Sequence, residues 1–296
     1  MATLRELKTR IGSVASSEKI TGAMKMISSA KVHKFERGLR ELLPYKDQIK
    51  QIMGHILSAG VDFHSPLIED REVSKIGVVV FGSDDGLCGA YNINIFKQLL
   101  VELNSLREKY GTGVEITLYP VGKKIRKACD KLAAEGTIKV EHIDGVDSKM
   151  EGKTVDNFTH DLREAFISGK LDLVEVVYMQ YHSISKQRLA IDTLFPVRAD
   201  ILLQGEDSAT ENQLYIFEPD ANDIFNAVLP MFVLSTMQEI TIENRASEQA
   251  ARVMAMQAAN DNAHKLQETL QLEFNKLRQQ SITTELLDIL GGQVER

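Results

Sequence analysis

The residues best placed to do chemistry lie in a short glycine-bracketed turn, Gly82–Gly89, with the sequence GSDDGLCG. It follows an apolar run, Ile76–Phe81, and precedes a helical stretch, which is where doubly wound folds hold ligands. A phosphate-binding turn would need GxGxxG or GxxxxGK[ST], and this turn has neither. Asp84 and Asp85 would repel a phosphate. Cys88 has no His or Lys near it in sequence, so a structural thiol is expected rather than a reactive one. The acid pairs Asp84–Asp85 and Glu206–Asp207 would serve general acid–base catalysis only inside a cleft, and solvated acids are the commoner case. The seven His show no ligand spacing, so no metal site is expected. Met24, Met26, Met254 and Met256 form either an adaptable contact surface or coiled-coil packing. Arg252 sits among small residues, either paired with Glu248 one turn back or free to dock on a partner.

The elements that carry these residues are of two kinds. From the N-terminus to about residue 59, Leu4, Leu7, Ile11 and Val14 step by three and four, as in a coiled-coil seam. The phase then slips: Ile20, Met24 and Ile27 carry it on, and Phe35, Leu39, Leu42, Ile49, Met53 and Ile56 resume it. Pro44 should kink this helix or end its first part. A helix of this length, about 87 Å, needs a partner along most of it.

Residues 70–205 alternate strand and helix, which makes an α/β domain with a largely parallel sheet and a closing antiparallel hairpin. Strands are expected at 76–81, 114–120, 137–141, 173–182 and 188–195, and helices at 93–110, 123–134 and 154–168. Residues 206–220 read as a linker, and Pro219-Asp220 as a helix start. Residues 221–290 read as a second long helix, of about 105 Å. Pro230 should bend it, alanines 246, 250, 251, 255, 258, 259 and 263 thin it, and Leu266, Leu270, Phe274 and Leu277 restore a broader stripe. Gly291-Gly292 should stop it. The fold class is therefore α/β: a long antiparallel two-helix coiled coil from the terminal segments, and a central Rossmann-like domain.

Charge separates along the chain. Residues 1–50 hold 11 Lys or Arg against five acids, and residues 211–296 hold 13 acids against six bases. Opposite signs favour pairing of the two ends, although each exposed pair adds little. With a net charge of −7, a nucleic-acid partner is disfavoured. No run of about 18 apolar residues marks a membrane span, and no secretory signal is visible. Two cysteines are too few for a disulfide framework.

Three stretches, in this order and spacing, resemble the gamma subunit of F-type ATP synthases: KITGAMKMISSAK (19–31), FGSDDGLCGAYN (81–92), and ENRASEQAARVMAMQAANDNA (243–263) with FNKLRQQSITTELLDILGG (274–292). The resemblance implies a non-catalytic central stalk, without cofactor, in a proton-driven synthase. It would turn inside a hexamer of alpha and beta subunits and couple ion flow through a membrane c-ring to ATP synthesis or hydrolysis on the beta subunits. Epsilon and delta subunits would belong to the same complex, placed on the cytoplasmic face of a bacterial plasma membrane. Subunit contacts carry over by position to Met24, Arg252 and Gln279, with Arg278 and Thr283 beside them. Chloroplast relatives insert two cysteines for thiol control, and no such pair is seen here. The residues by themselves leave two other readings open: a nucleotide-dependent α/β enzyme with a coiled-coil dimerisation arm, and a coiled-coil arm that grips RNA.

Overall fold

A computed structural model describes residues 3–58, 64–134, 136, 138–198 and 217–294. Of the expected linker 206–220, residues 206–216 lie outside the described residues, as do the acids Glu206 and Asp207. The chain divides into two compact units. One is Ala30–Ala251, and the other joins Met1–Ser29 to Arg252–Arg296.

The unit Ala30–Ala251 is built on a five-stranded sheet in the order β3-β2-β1-β4-β5. Its strands are β1 (Lys75–Phe81), β2 (Glu115–Val121), β3 (Lys139–Val140), β4 (Leu173–Ser183) and β5 (Lys186–Phe195). The first four are parallel, and β5 returns antiparallel to β4. Strand β1 reads as an unbroken apolar run because both of its faces are covered. Ile76, Val78 and Val80 point into a layer closed by Ile95, Leu99, Leu103 and Leu106 of α2 (Tyr91–Tyr110) and by Ile125 and Cys129 of α3 (Lys123–Ala133). Val79 and Phe81 point the other way. They meet Val155, Phe158, Leu162 and Phe166 of α4 (Lys153–Ile167), Ile49, Met53 and Ile56 of α1 (Leu4–Ser58), and Phe225, Leu229, Phe232 and Ile240 of α5 (Ala221–Val294). Each expected strand and helix of this domain is present, with shifted ends. The two-residue β3 is the largest reduction.

The turns explain where two glycines must be. Gly122 enters α3 with φ at 117°, and a Cβ there would come within 3.1 Å of the backbone of Gly82 and Ser83. A Cβ on Gly82 would come within 2.6 Å of Ile125 Cβ. These two positions let the β1 and β2 turns lie against each other.

Helix α1 starts at a capping box. The Thr3 amide donates to Glu6 Oε2 at 2.9 Å, and the Glu6 amide donates to Thr3 Oγ1 at 3.2 Å. The helix runs through Pro44 as one element, where the sequence predicts a kink or an end. Proline removes one helical donor, at a cost of about 3 kcal/mol. On either side of it Leu39, Ile49, Met53 and Ile56 stay buried, and that packing sustains the helix.

The expected phase slip is absent. Leu4, Leu7, Ile11, Val14, Glu18, Thr21, Lys25 and Ser28 follow one seven-residue repeat, and none of them is exposed. In the other unit Val32, Phe35, Leu39, Leu42, Lys46, Ile49, Met53 and Ile56 follow the same repeat, again with none exposed. Ile20 and Ile27, expected in the seam, are 60% and 58% exposed. The slip was an effect of reading only apolar residues: four successive seam positions are polar or charged, so the apolar pattern jumped to a neighbouring face.

Helix α5 begins where Pro219-Asp220 predicts, with the Asp220 carbonyl accepting from Ile224 N–H at 3.1 Å. It contains a stretch apolar and long enough to cross a membrane by composition, which the sequence reading did not expect. The core residues Phe225, Leu229, Phe232, Val233, Met237 and Ile240 account for apolar character in this helix. Gly291-Gly292 does not stop it, since it continues to Val294. Both glycines are helical, and glycine in a helix costs only about 1 kcal/mol. Leu266, expected in the apolar stripe, is 46% exposed, whereas Leu270 is 4% exposed and Phe274 and Leu277 are half-buried.

Candidate functional site: a closed crevice and an exposed helix end

In the turn after β1, Ser83 is fully buried. Its hydroxyl donates to the Asp85 carbonyl at 2.8 Å and accepts from Asn92 Nδ2 at 2.7 Å, and its amide donates to Asn92 Oδ1 at 3.0 Å. Asp84 Oδ1 accepts the Lys123 amide at 2.9 Å, and the Asp84 amide donates to Ser148 Oγ at 3.2 Å. The Asp84 carboxylate therefore fills the N-terminus of α3, where a phosphate would otherwise be held. Asp85 pairs with Lys149 at 3.3 Å. The two acids of the turn serve as a helix cap and a surface ion pair, not as an acid–base couple.

The crevice between β1 and β4, where the strand order reverses, is closed from above by α5. Asn244 Nδ2 donates to the Gly82 carbonyl at 3.3 Å. The Tyr91 hydroxyl donates to Asn244 Oδ1 at 2.6 Å and lies 3.0 Å from the Asn244 carbonyl. Asn244 is 1% exposed and Tyr91 3%. A nucleotide bound here would have to displace a helix, so the enzyme reading loses its site. The network was invisible in the sequence because its members are 153 and 162 positions apart.

Both thiols are structural. Cys88 is 3% exposed, and its sulfur lies 3.6 Å from Asn92 Nδ2 and 3.8 Å from the Asp85 carbonyl. Cys129 is fully buried in an apolar layer, which pushes its thiol up to about 12. Among the described residues no cluster of His, Cys, Asp and Glu could hold a metal ion.

A second buried polar group joins α1, β4, β5 and α5. Lys46 pairs with Glu239, and the Tyr178 hydroxyl donates to Asp192 Oδ2 at 2.8 Å. Glu243, 8% exposed, lies among them, and burial followed by the Glu239 charge pushes its carboxyl up to about 8. Nearby, Arg245 pairs with Glu151 and stacks on Phe35 at 4.6 Å from the ring centre. Sequence reasoning missed both groups. The one available signal was the pair of charged residues, Glu239 and Glu243, one turn apart in an otherwise apolar helix.

The five candidate contact residues lie in the other unit. Met24 of α1 is half-buried. Arg252 of α5 is 7% exposed and is held within the fold by its own interactions. Arg278, Gln279 and Thr283 are exposed on α5. The Thr283 hydroxyl donates to the Gln279 carbonyl at 2.9 Å, so Gln279 and Thr283 share one face, a turn apart. Beyond Ser281 every described side chain of α5 through Leu290 is exposed, including Ile282 (49%), Leu286 (55%), Leu287 (63%), Ile289 (63%) and Leu290 (59%). A run of this kind marks a surface meant to be covered.

The chain matches the family described as ATP synthase over residues 3–294. It is 37% identical to the ATP synthase gamma chain of Bacteroides thetaiotaomicron, over 100% of both chains. It is 38% identical to the same protein of Parabacteroides distasonis, covering 99% of this chain and 98% of that one. Among solved structures it resembles a chain of the Euglena gracilis mitochondrial ATP synthase, described as OSCP/F1/c-ring in rotational state 3. The TM-score is 0.63 at 23% identity, over 98% of this chain and 93% of that one. A second Euglena chain, described as rotor in rotational state 1, gives a TM-score of 0.60 at 20% identity, over 94% and 98%.

Proposed function

This chain belongs to the ATP synthase gamma-chain family, and from that premise we propose that it is the rotating central stalk of a proton-driven F-type ATP synthase. The observation that carries the reading is the exposed end of α5, joined to a match that runs the full length of the family. Among the described residues, Ile282, Leu286, Leu287, Ile289 and Leu290 are exposed. An apolar sleeve made by a ring of alpha and beta subunits gives them a partner. Arg278, Gln279 and Thr283 present side chains near this end, and Met24 lies farther along the shaft on α1, so a rotating element would meet each catalytic subunit at two levels.

The stalk has no catalytic role in this reading, and ATP is made or hydrolysed on the beta subunits. A shaft changes a catalytic site only by contacting its open and closed states unequally. The α/β unit serves as the docking body for the epsilon subunit and the membrane c-ring, with the delta subunit elsewhere in the complex. The chain then sits at the cytoplasmic face of a bacterial plasma membrane through its partners.

Reconstitution tests the reading. The purified chain should hydrolyse no ATP. Mixed with alpha and beta subunits, it should enter the assembly as a single copy and confer steady turnover. A hexamer that excludes the chain sinks the proposal.

A further inference from the structure

In the unit formed by Met1–Ser29 and Arg252–Arg296, the seam between α1 and α5 changes character along its length. Toward the start of α1 it is apolar, with Leu4, Leu7, Ile11 and Val14 on one helix and Leu270, Phe274 and Leu277 on the other; none of these is exposed. Further along it turns polar, with Glu18, Thr21, Lys25 and Ser28 on α1 and Asn260 and Gln267 on α5. The apolar part of such a seam is indifferent to a shift by one repeat, since each position there is replaced by another of the same type.

One residue breaks that indifference. Asn260 Nδ2 donates to the Glu18 carbonyl at 2.8 Å and lies 3.4 Å from Thr21 Oγ1. The Thr21 hydroxyl is itself turned back to the Ser17 and Glu18 carbonyls, 3.0 Å from each. The two helices come close here, since a Cβ on Gly22 would lie 3.4 Å from Asn260 Nδ2, in ordinary contact. One turn on, His264 Nδ1 sits 3.3 Å from Glu18 Oε1, so Glu18 is held through its carbonyl and its carboxylate.

We infer that Asn260 is a positioning residue for rotary coupling: its amide, seated against Gly22 and bonded to Glu18, fixes the axial register of α1 against α5. The inference rests on the stalk reading above. A slip of one repeat toward the start of α1 would set the half-buried amide against Ile11 and Val14, away from the Glu18 carbonyl it now uses, and a donor taken from its partner is costly. The register decides where α1 ends beside α5. Counting from Thr21 back to Leu4, and the same number of residues forward from Asn260, ends at Leu277. That is where burial fades and the exposed end begins. A slip of one repeat would move this end by about 10 Å. Met24 and Gln279, on opposite helices, would no longer meet a catalytic subunit at the same rotor angle.

The test uses three variants of the full chain. Asn260→Asp removes the donor at constant volume, Asn260→Leu replaces the amide with an apolar side chain, and Asn260→Gln keeps a donor. Spin labels at Lys8→Cys and Leu272→Cys, both exposed, report the distance between the helices. The parent and Asn260→Gln should give one narrow distance, and Asn260→Leu and Asn260→Asp a second or broadened one. In the assembled synthase the last two should pump fewer protons per ATP hydrolysed, by about twofold if two registers are equally populated. The melting temperature of Asn260→Leu should stay level or rise, an outcome that a simple loss of folding would not produce. A single narrow distance and parent coupling in both Asn260→Leu and Asn260→Asp overturn the inference. Failure of the parent chain to assemble overturns the stalk reading instead, and the distance measurement still judges the register.

Discussion

Glu243 shares its surroundings with Glu239 beside it on α5, Asp192 on β5, Tyr178 on β4 and Lys46 on α1. Its carboxyl titrates near 8 in the folded chain, against an ordinary 4.5. A raised carboxyl means that the folded state holds the proton more tightly. Its contribution is complete below about 4.5 and is lost as pH rises through about 8. Glu175, buried in β4 with Oε2 unpartnered, is pushed up to about 7 by burial and by Glu102, and adds a loss of the same sign. Melting temperature should therefore fall between pH 5 and 9, and Glu243→Gln should flatten that fall. The variant should melt a few degrees higher at pH 9, at about 2–4 °C per kcal/mol. A pH profile identical to the parent's would show that Glu243 does not titrate in this range. At Arg252 the sequence offered a docking arginine or a pair with Glu248, and the structure leaves the residue only 7% exposed. Arg252→Ala should therefore destabilise the isolated chain by about 1–3 kcal/mol, read by denaturant unfolding. Unchanged stability with weaker coupling in the assembly would place its role on a partner.

At the scale of elements, the long helices are set by repeats of seven and interrupted by residues that ought to break them. Pro44, Pro230 and Gly291-Gly292 all lie inside helices. In each case a helix-breaking propensity of about 1–3 kcal/mol is a local term, and tertiary packing overrides it where packing exists. Around Pro44 and Pro230 the packing is visible in the buried Leu39, Ile49, Leu229 and Phe232. The alanine stretch makes a separate prediction. Ala255 is half-buried, so Ala255→Leu should overpack its surroundings and cost about 1–3 kcal/mol, seen as a lower melting temperature. An unchanged melting temperature would mean that the site has room for a larger side chain.

Across the whole molecule, burial is unequal. The sheet of the Ala30–Ala251 unit is covered on both faces, while every described side chain of α5 from Ile282 to Leu290 is exposed. A chain ending at Ser281 should therefore melt within about a degree of the parent, since little apolar area leaves the core. It should bind the alpha and beta subunits more weakly, in co-sedimentation or in the yield of assembled complex. A large drop in melting temperature would mean that the terminal turns support the fold.

The sequence by itself determined the order and type of the elements, because hydrophobic periodicity is a local property and long, strongly periodic segments state it clearly. The apolar run Ile76–Phe81, or Leu4, Leu7 and Ile11, needed no partner to be read. Three motifs in order also carried the family. What only the tertiary structure decided were the contacts between residues far apart in the chain. It showed that the seam runs on through Glu18, Thr21, Lys25 and Ser28, because whether a polar side chain is covered depends on the helix laid against it. It showed that Asp84 caps α3 and that Asn244 and Tyr91 close the crevice, which turned the most promising chemical motif in the chain into a structural joint. The turn Gly82–Gly89 has the residues of a ligand site, and the helix laid over it leaves no place for a ligand.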